Sequence, residues 1–571
     1  MRTKISTFFL ISTLNSPIKM KFLKTVFFSS LLLMGFNAHA LDTYNPANNQ
    51  LTIPTVIVGA TAYKDVVITV GSVVSIGGSG QDPKYPAKST AVFDNYDIQK
   101  KQLSIPNVTA YGSTYYDVII NVGDILAVGS SHPLSELMPA QINTSAINSA
   151  IFSELSLSNP KNDDMMHDVI AMGDVNGDGY DDILIGVMRL ETNTWNSVNR
   201  TVKPILLFYN PTLNTYEVSQ TFKSVTSSHI WPRQGAIADV DGDGRNDIFI
   251  GDTGVDGGSY DCGNQNSLVL NKLSGMVNAS NLLPQVSDYS HGLITADFNA
   301  DGKTDLFILN SPWINKSICN VAGTTYRNRS YILSGSNFNE LPLKTAGNDA
   351  VELGLTEQSF NDPLAIASAS DLNKDGFADI VFGGSYGLTI MESNGSLSYN
   401  KIQQISAPSS YYSKFDTSNC LILSQLSSKC MTPYSYVVFY DIDNDGQPEI
   451  IASLLNQSKI NGWSGQYFQA LKKVNGAWID ITDSVFPNQS SSQSNGGEWC
   501  YRVQLVDLNN DGKLDLLCSA YKSTVWAFNN GQFTKTQTIN ARSNVIKFPG
   551  ANYLIEDNYT RDSISISGRK L

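Results

Sequence analysis

Six acidic loops carry the residue types in this sequence that are best suited to binding chemistry. Each follows the pattern Asp-x-(Asp/Asn)-x-Asp-Gly-x-x-(Asp/Glu), and the six copies begin 58 to 74 residues apart. Side-chain oxygens at positions 1, 3, 5 and 9 can converge because Gly at position 6 permits a tight turn. Position 7 can add its backbone carbonyl, so any residue type is tolerated there. Ca²⁺ takes about six to eight oxygen ligands, and the pattern therefore predicts about six structural calcium sites.

The predicted ligands occupy positions 1, 3, 5, 7 and 9 of each loop. They are Asp174, Asn176, Asp178, Tyr180, Asp182, Asp239, Asp241, Asp243, Arg245, Asp247, Asp297, Asn299, Asp301, Lys303, Asp305, Asp371, Asn373, Asp375, Phe377, Asp379, Asp441, Asp443, Asp445, Gln447, Glu449, Asp507, Asn509, Asp511, Lys513 and Asp515. An EF-hand loop opens in the same way, but it needs Glu at position 12 and flanking helices, and position 12 is never Glu here. Three or four carboxylates in one tight loop repel each other without a cation, which favours occupied sites.

Short apolar runs flank every acidic loop and must position it. Val169-Ile-Ala-Met precedes the first loop, and Ile183-Leu-Ile-Gly follows it. Runs of this length are too short for helices, so they predict strands. A third candidate strand follows in each unit, as at Pro204-Ile-Leu-Leu-Phe-Tyr, and a fourth comes after a turn. Four short strands per repeat are typical of a β-propeller blade.

With these loops and flanking strands, residues from about 150 to 571 resemble the FG-GAP/VCBS repeat family, which includes the integrin α-chain propeller and secreted bacterial proteins. The resemblance implies an all-β fold: a calcium-binding β-propeller in which the metal is structural and each loop joins the first two strands of a blade. The Phe-Gly…Gly-Ala-Pro flanks of integrins are not visible, so the bacterial branch is the nearer one.

Seven blades are expected, with six as the alternative. The seventh would use Val545–Gly568, which resembles a decayed loop and strand pair, with its remaining strands from Ile147–Ser158. Closing the ring in this way hides the edges of the sheets.

A second, shorter repeat precedes the propeller. Leu51-Thr-Ile-Pro-Thr-Val returns as Leu103-Ser-Ile-Pro-Asn-Val, 52 residues later, in alternating, β-branched sequence. It predicts a small duplicated β module over residues 41–135, with the propeller over residues 136–571.

Residues 1–40 are predicted to be a signal peptide. A basic stretch begins at Met20, which is an alternative start, and an apolar run and Ala38-His39-Ala40 follow. We therefore expect an exported protein that is extracellular, on the cell surface or periplasmic. Six cysteines fit an oxidising compartment. The repeat register favours the pairs Cys262–Cys319, Cys420–Cys430 and Cys500–Cys518.

Net charge narrows the classes of partner. The chain carries a formal net charge of −13 and shows no basic patch, which argues against nucleic acid and anionic lipid. No apolar run approaches the length of about 18 residues that a membrane span needs, so membrane insertion is not expected. We expect a monomer.

No catalytic residue is predicted. Gly383-Gly-Ser385-Tyr-Gly387 matches the nucleophile elbow, but that motif needs a helix after the turn, and none is expected here. Histidines that precede acidic loops are interpreted as strand-packing or rim residues. They are His167, His229 and His291.

Several tryptophans are candidates for a sugar-binding surface, with packing inside or between blades as the alternative. They are Trp231, Trp313, Trp463, Trp499 and Trp526. The leading functional hypothesis is a secreted binding or adhesion module, not an enzyme, that recognises a glycan or a protein. The alternatives are a polysaccharide-acting lyase or hydrolase and a structural scaffold in a surface assembly.

Overall fold

The computed structural model describes residues 42–571 except for 60, 80–93, 112, 134–137, 146–162, 192–200, 212, 255–262, 311–328, 335–336, 341–342, 346–365, 385–386, 396, 415–433, 459–461, 490–498, 510, 549–550 and 561–562. The predicted signal peptide and four of the six cysteines therefore lie outside the described residues, as do Ser385, Trp313 and the segment 147–158. The side chains of His167 and Trp463 are also outside the description. The described residues are mainly strands, so the all-β prediction is confirmed.

The first seven strands form one sheet in which the two short repeats interlock. They are β1 (Asp42–Asn45), β2 (Gln50–Val58), β3 (Thr61–Ser79), β4 (Asp94–Asp97), β5 (Gln102–Ala110), β6 (Ser113–Ala127) and β7 (Ser130–Pro133). The first strand of each repeat pairs in parallel with the second strand of the other, and the two long strands β3 and β6 pair antiparallel. Inward-facing Leu, Ile and Val side chains of both repeats share one core, so each repeat completes the other.

Seven further sheets of four or five strands follow among the described residues, and we call them blades 1 to 7. A two-residue strand, β8 (Gln141–Ile142), comes before them in the chain. Blade 1 consists of β9 (Asp163–Gly173), β10 (Asp182–Glu191), β11 (Ile205–Asn210) and β12 (Thr215–Val218). Blade 2 consists of β13 (Pro232–Ala238), β14 (Asp247–Asp252), β16 (Ser267–Lys272) and β17 (Gly275–Asn278), beside the small pair β15 (Asn264–Gln265) and β18 (Ser287–Asp288). Blade 3 consists of β19 (Ser290–Ala296), β20 (Asp305–Asn310), β21 (Arg329–Ser334) and β22 (Asn337–Glu340).

Blade 4 has a fifth strand, which pairs in parallel with its outermost strand. The strands are β23 (Lys344–Thr345), β24 (Ile366–Ser370), β25 (Asp379–Gly384), β26 (Gly387–Ser393) and β27 (Ser398–Ile405). Blade 5 consists of β28 (Tyr434–Tyr440), β29 (Glu449–Ser458), β30 (Gly462–Val474) and β31 (Ala477–Asp480). Blade 6 consists of β32 (Arg502–Val506), β33 (Asp515–Ser519), β34 (Ser523–Asn529) and β35 (Gln532–Ile539).

Blade 7 combines the two ends of the propeller sequence. Its strands are β36 (Arg542–Phe548), β37 (Ala551–Thr560), β38 (Ser563–Lys570) and the early strand β8. The C-terminal segment thus forms strands where a decayed acidic loop was expected, and Gln141–Ile142 supplies the last strand. Short helices join some blades in the described residues: α1 (Gln220–Val225), α2 (Ser409–Lys414) and α3 (Thr482–Val485), with a 3₁₀ turn at Ser280–Leu282.

The blades form a closed ring. The first strand of each blade contacts the first strand of the next, from β9 round to β36, and β36 contacts β9 again. A separate apolar cluster fills each of the seven blade-to-blade interfaces. Strand β10 shows why its sequence is apolar without alternation: Ile183 and Ile185 face blade 7, while Leu184 faces blade 2. Burial on both faces explains the continuous runs after each acidic loop, and this arrangement is a β-propeller.

Candidate functional site

Each of the six acidic loops joins the first and second strands of its blade, from blade 1 to blade 6. Gly at position 6 has φ between +83° and +91° in all six, a conformation that glycine adopts without the strain of a Cβ. One carboxylate oxygen at position 1 accepts the backbone N–H of that glycine at 2.7–2.9 Å. The position 5 carboxylate accepts the N–H of position 7 at 2.8–3.1 Å. Six loops with one geometry argue for one shared role.

The position 9 carboxylate is buried in every loop, with at most 1% of the residue exposed. One of its oxygens accepts the N–H of position 2 at 2.7–3.1 Å. In blades 1, 2, 4 and 6 the other oxygen accepts a backbone N–H from the third strand at 2.8–3.2 Å. The Oδ1 atom of Asp305 in blade 3 has no hydrogen-bond partner among the described residues. An ionised carboxylate buried in this way needs a further positive charge.

Burial is the main cause of the raised pKa values at position 9. It raises the pKa of Asp247 to about 6, that of Asp305 to about 7 and that of Asp379 to about 6, and the carboxylates at neighbouring loop positions add to the rise. The loop environment thus disfavours the ionised acid unless a cation balances it.

Two loops bring three carboxylates together so that their oxygens lie within 4.8 Å of one another. They are Asp239, Asp241 and Asp247 in blade 2, and Asp441, Asp443 and Glu449 in blade 5. In the described parts of the other four loops, which have Asn at position 3, no such set of three acids is found. The clusters can hold a metal ion, and an all-oxygen donor set suits a hard cation such as Ca²⁺.

A lysine from the third strand reaches each of these two loops, which the sequence did not predict. Lys272 Nζ contacts Asp241 Oδ2 and lies 3.1 Å from Asp243 Oδ2. Lys472 Nζ lies 2.5 Å from Asp443, 2.7 Å from Asp445 and 3.0 Å from Glu449. Among the described residues, a lysine of the third strand thus reaches the two loops that have a fourth carboxylate.

A buried Asp–His–Ser group lies in blade 2. His229 Nδ1 is 3.0 Å from Asp252 Oδ2, and its Nε2 is 2.9 Å from Ser267 Oγ. This order matches that of a hydrolytic triad, but each of the three residues is at most 1% exposed. A substrate cannot reach Ser267, so the group ties strands together. Burial acts to raise the pKa of Asp252, but the hydrogen bond and charge of His229 outweigh it and hold that pKa below its usual range.

The matched elbow motif leads into a strand, because β26 begins at Gly387. Of the tryptophans, Trp526 is buried in the core between blades 5 and 6, whereas Trp231 and Trp499 are only partly buried. His291 stacks on Tyr289 near the start of β19.

A cavity of about 340 Å³ occupies the centre of the ring. Much of its lining comes from the first residues of first strands, including Arg233, His291, Ser435 and Arg502. The acidic loops follow the opposite ends of the same strands. The lining also includes Met172, Ile237 and Thr295, each two residues before an acidic loop, so the cavity extends along the first strands from their starts towards the loops.

The cavity is polar and partly aromatic. Its described charged residues are Asp168, Arg233 and Arg502. Arg233 Nη1 lies 3.1 Å from His291 Nε2. A guanidinium can only donate, so Nε2 accepts, and the imidazole is neutral with its proton on Nδ1. Burial and the charge of Arg233 accordingly hold the pKa of His291 well below its usual range.

The sequence prediction that Cys500 pairs with Cys518 is confirmed, and this disulfide links the residues just before β32 to β33 in blade 6. The other two predicted pairs lie outside the described residues. No helix in the described part of the chain is long and apolar enough to cross a membrane.

Comparisons with known proteins agree with the loop pattern. The profile of the FG-GAP-like repeat family matches residues 239–308, and that of the FG-GAP repeat matches residues 168–193. No curated protein matches the chain.

Three solved structures illustrate the similarities found. A lectin from Agrocybe aegerita that recognises non-reducing terminal N-acetylglucosamine is 13% identical over 66% of this chain and 79% of its own, with a TM-score of 0.34. A periplasmic gluconolactonase from Pseudomonas aeruginosa is 12% identical over 64% of this chain and 83% of its own, with a TM-score of 0.36. The V. cholerae biofilm matrix protein Bap1 is 11% identical over 72% and 87%, with a TM-score of 0.33. At these values the similarities say nothing about activity. The matched segments contain the first three acidic loops, so this part of the chain consists of FG-GAP-type repeats.

Proposed function

We propose that this protein is an exported, calcium-stabilised β-propeller that binds a glycan or protein ligand at the central cavity. The observation that carries the proposal is the cavity itself, because it gathers polar and aromatic side chains from many blades at one place on the ring axis. Its volume of about 340 Å³ lies within the range of small-molecule binding sites. FG-GAP repeats and the Cys500–Cys518 disulfide support an extracellular or periplasmic location, and residues 1–40 would provide the signal for export.

Calcium would be a structural component. The six loops share one turn geometry, and each places a buried carboxylate at position 9 beside at least two others. The residues fit the ion because every proposed side-chain donor is an oxygen and Asp305 keeps a buried oxygen unbonded in the described structure. Bound calcium would supply the charge that these carboxylates need, and it would hold the first hairpin of each of six blades.

Binding is favoured over catalysis by the content of the cavity. Most glycoside hydrolases use two carboxylates across the scissile bond, and the described cavity lining has one, Asp168. That carboxylate is engaged in an ion pair with Arg542 at 3.0 Å. A polysaccharide-acting enzyme is the alternative, and a turnover assay decides between them.

The proposal is tested on the mature chain, residues 41–571, in three measurements. Calorimetric titration should show calcium binding, and removal of calcium with EDTA should lower the melting temperature. Glycan and protein arrays should show a ligand whose binding is lost with EDTA and restored by calcium. Asp379→Asn should reduce the calcium response, while Asp483→Asn, an exposed acid in α3, should leave it unchanged. An unchanged melt in EDTA would refute the calcium role, and turnover of a polysaccharide would refute the binding role.

A further inference from the structure

The arginine at the start of β32 is the feature of the cavity that points to one class of ligand. Arg502 Nη2 donates to the backbone carbonyls of Val169 at 2.9 Å and Ile170 at 3.2 Å, and Nη1 donates to Asn544 Oδ1 at 3.1 Å. All three acceptors are neutral oxygens. A guanidinium has five N–H donors, so these bonds fix its position across blades 1, 6 and 7 and leave donors available.

The charge around Arg502 is not neutralised within the described cavity. The one acidic residue in the described lining, Asp168, forms its ion pair with Arg542, whose guanidinium lies over the ring of Tyr501 at 4.5 Å from the ring centroid. Arg502 forms no ion pair in the part of the chain that the structure describes, and His291 is neutral. In a chain of net charge −13, this cavity is therefore a local site of positive charge.

Aromatic rings stand next to this charge. Trp499 and Tyr501 both line the cavity, are only partly buried, and have ring centroids 4.0 Å apart. Flat aromatic faces beside polar groups fit a ligand with an apolar C–H face and a polar edge, as a sugar ring has. An acidic peptide would also satisfy the arginine, but it gains less from two adjoining rings in a cavity of this size.

We propose that the cavity binds the acidic end of a glycan, with the carboxylate of one sugar residue on Arg502 and the sugar ring against Trp499 and Tyr501. This inference rests on the proposed ligand-binding function and specifies its ligand class. Arg502 would supply a fixed positive charge and its remaining N–H donors, a placement that a lysine cannot reproduce because it lacks the planar guanidinium that these three bonds hold. Trp499 would add affinity without discriminating charge.

The decisive test changes the ligand and keeps the protein intact. Oligosaccharides ending in glucuronic, galacturonic or sialic acid are compared by calorimetry with their methyl esters, in constant calcium. We expect at least one acid to bind about tenfold or more tightly than its ester, because charge-assisted hydrogen bonds are lost in the ester. Added salt should weaken binding of the acid more than binding of the ester.

Three variants then assign the effect to residues. Arg502→Gln should remove the preference for acid over ester, and Arg502→Lys should restore only part of it. Trp499→Ala should weaken both ligands by a similar factor. The control is Arg569→Gln, which removes a partly exposed arginine of β38 that pairs with Glu556. It should change the affinity for neither ligand. Thermal melts check that each variant is folded. If Arg502→Gln does not fold, the comparison of acid and ester on the wild-type protein decides the question.

The outcomes separate this inference from the function on which it rests. Equal binding of acid and ester, or binding of neutral glycans alone, would overturn the acidic-sugar inference and keep the proposed function. Preference for an acidic peptide over every glycan would also overturn it. If neither glycan nor protein binds the calcium-loaded chain, the proposed function itself fails.

Discussion

A pair of buried acids in the duplicated module should make its stability depend strongly on pH. Asp42 and Asp94 begin the first strands of the two short repeats, 52 residues apart, and are only 6% and 4% exposed. Burial raises the pKa of Asp42 to about 7, against the opposing effect of its hydrogen bond with Asp94. Burial and the nearby Asp42 raise the pKa of Asp94 well above its usual range. One of the two acids must therefore be protonated for them to share a hydrogen bond.

The sign of the pH effect follows from these raised values. In the unfolded chain both acids ionise near pH 3.8, whereas in the folded module Asp42 keeps its proton up to about pH 7 and the pKa of Asp94 is also raised. The folded state binds more protons between these values, so its stability is greatest below about pH 4 and is lost as pH rises towards 7. The proton of Asp42 alone, over about three pH units, corresponds to about 4 kcal/mol at about 1.4 kcal/mol per unit, and the raised pKa of Asp94 adds a loss in the same direction. Opening of the module should therefore become roughly a thousandfold more frequent.

Hydrogen exchange on the full chain measures this locally. Protection factors of β1 and β4, corrected for intrinsic exchange and taken at constant calcium, should fall steadily between about pH 5 and 8. Asp94→Asn keeps a side chain able to hydrogen bond but cannot ionise, so the variant should show a shallower fall and exceed the wild type above pH 7. Asp124→Asn, an exposed acid in the same sheet, should behave as the wild type does. Protection that does not change with pH in the wild type would refute the shared proton.

Three further expectations concern the propeller. Lys472→Met removes the ammonium that contacts three carboxylates of the blade 5 loop. The variant should therefore melt at a lower temperature in EDTA and bind calcium about tenfold more tightly in calorimetry. An unchanged calcium affinity would contradict this. His229→Leu should destabilise the chain by about 1–3 kcal/mol in denaturant titrations, since it removes the imidazole from between buried Asp252 and Ser267. No measurable loss would show that the remaining donors to Asp252, three backbone N–H groups and Asn264, satisfy the carboxylate. Cys500→Ser removes the disulfide to Cys518 and should lower the free energy of unfolding by about 2–4 kcal/mol. Reductant should lower the melting temperature of the wild type more than that of the variant.

The repeated loops made most of the fold predictable because one short pattern fixes both a turn and its two strands. In the loop that begins at Asp174, the glycine indicates a tight turn. The apolar run Ile183-Leu-Ile-Gly after it indicates a strand that is buried on both faces. The partner that closes blade 7 was not predictable. Gln141–Ile142 is two residues long, so it carries no periodicity, and only the place where the ring closes gives it a role.

The site residues divide in the same way. Position 9 acids such as Asp305 were predicted because their role is local to the loop. Lys472 was missed because it reaches its loop across the sheet, through a register that the sequence does not state. Arg502 was missed because its three acceptors lie on other blades. Two are on β9 of blade 1, more than 330 residues away in sequence, and the third is on β36 of blade 7. Contacts that depend on ring closure have no signal within one repeat.

The acidic loops and Arg502 should be able to change independently of each other. Each acidic loop joins the first hairpin of its own blade and contacts a neighbouring loop through bonds such as that of Gln447 to the Leu372 carbonyl. Loss of one loop, as in Asp379→Asn, should therefore lower stability without altering which ligand binds. Arg502 acts across three blades at the cavity, so replacing it should alter the ligand while six loops still hold their hairpins. If Asp379→Asn changed the preference between an acidic glycan and its ester at a temperature where the variant stays folded, the loops would belong to the binding site and the separation of roles between the loops and Arg502 would be wrong.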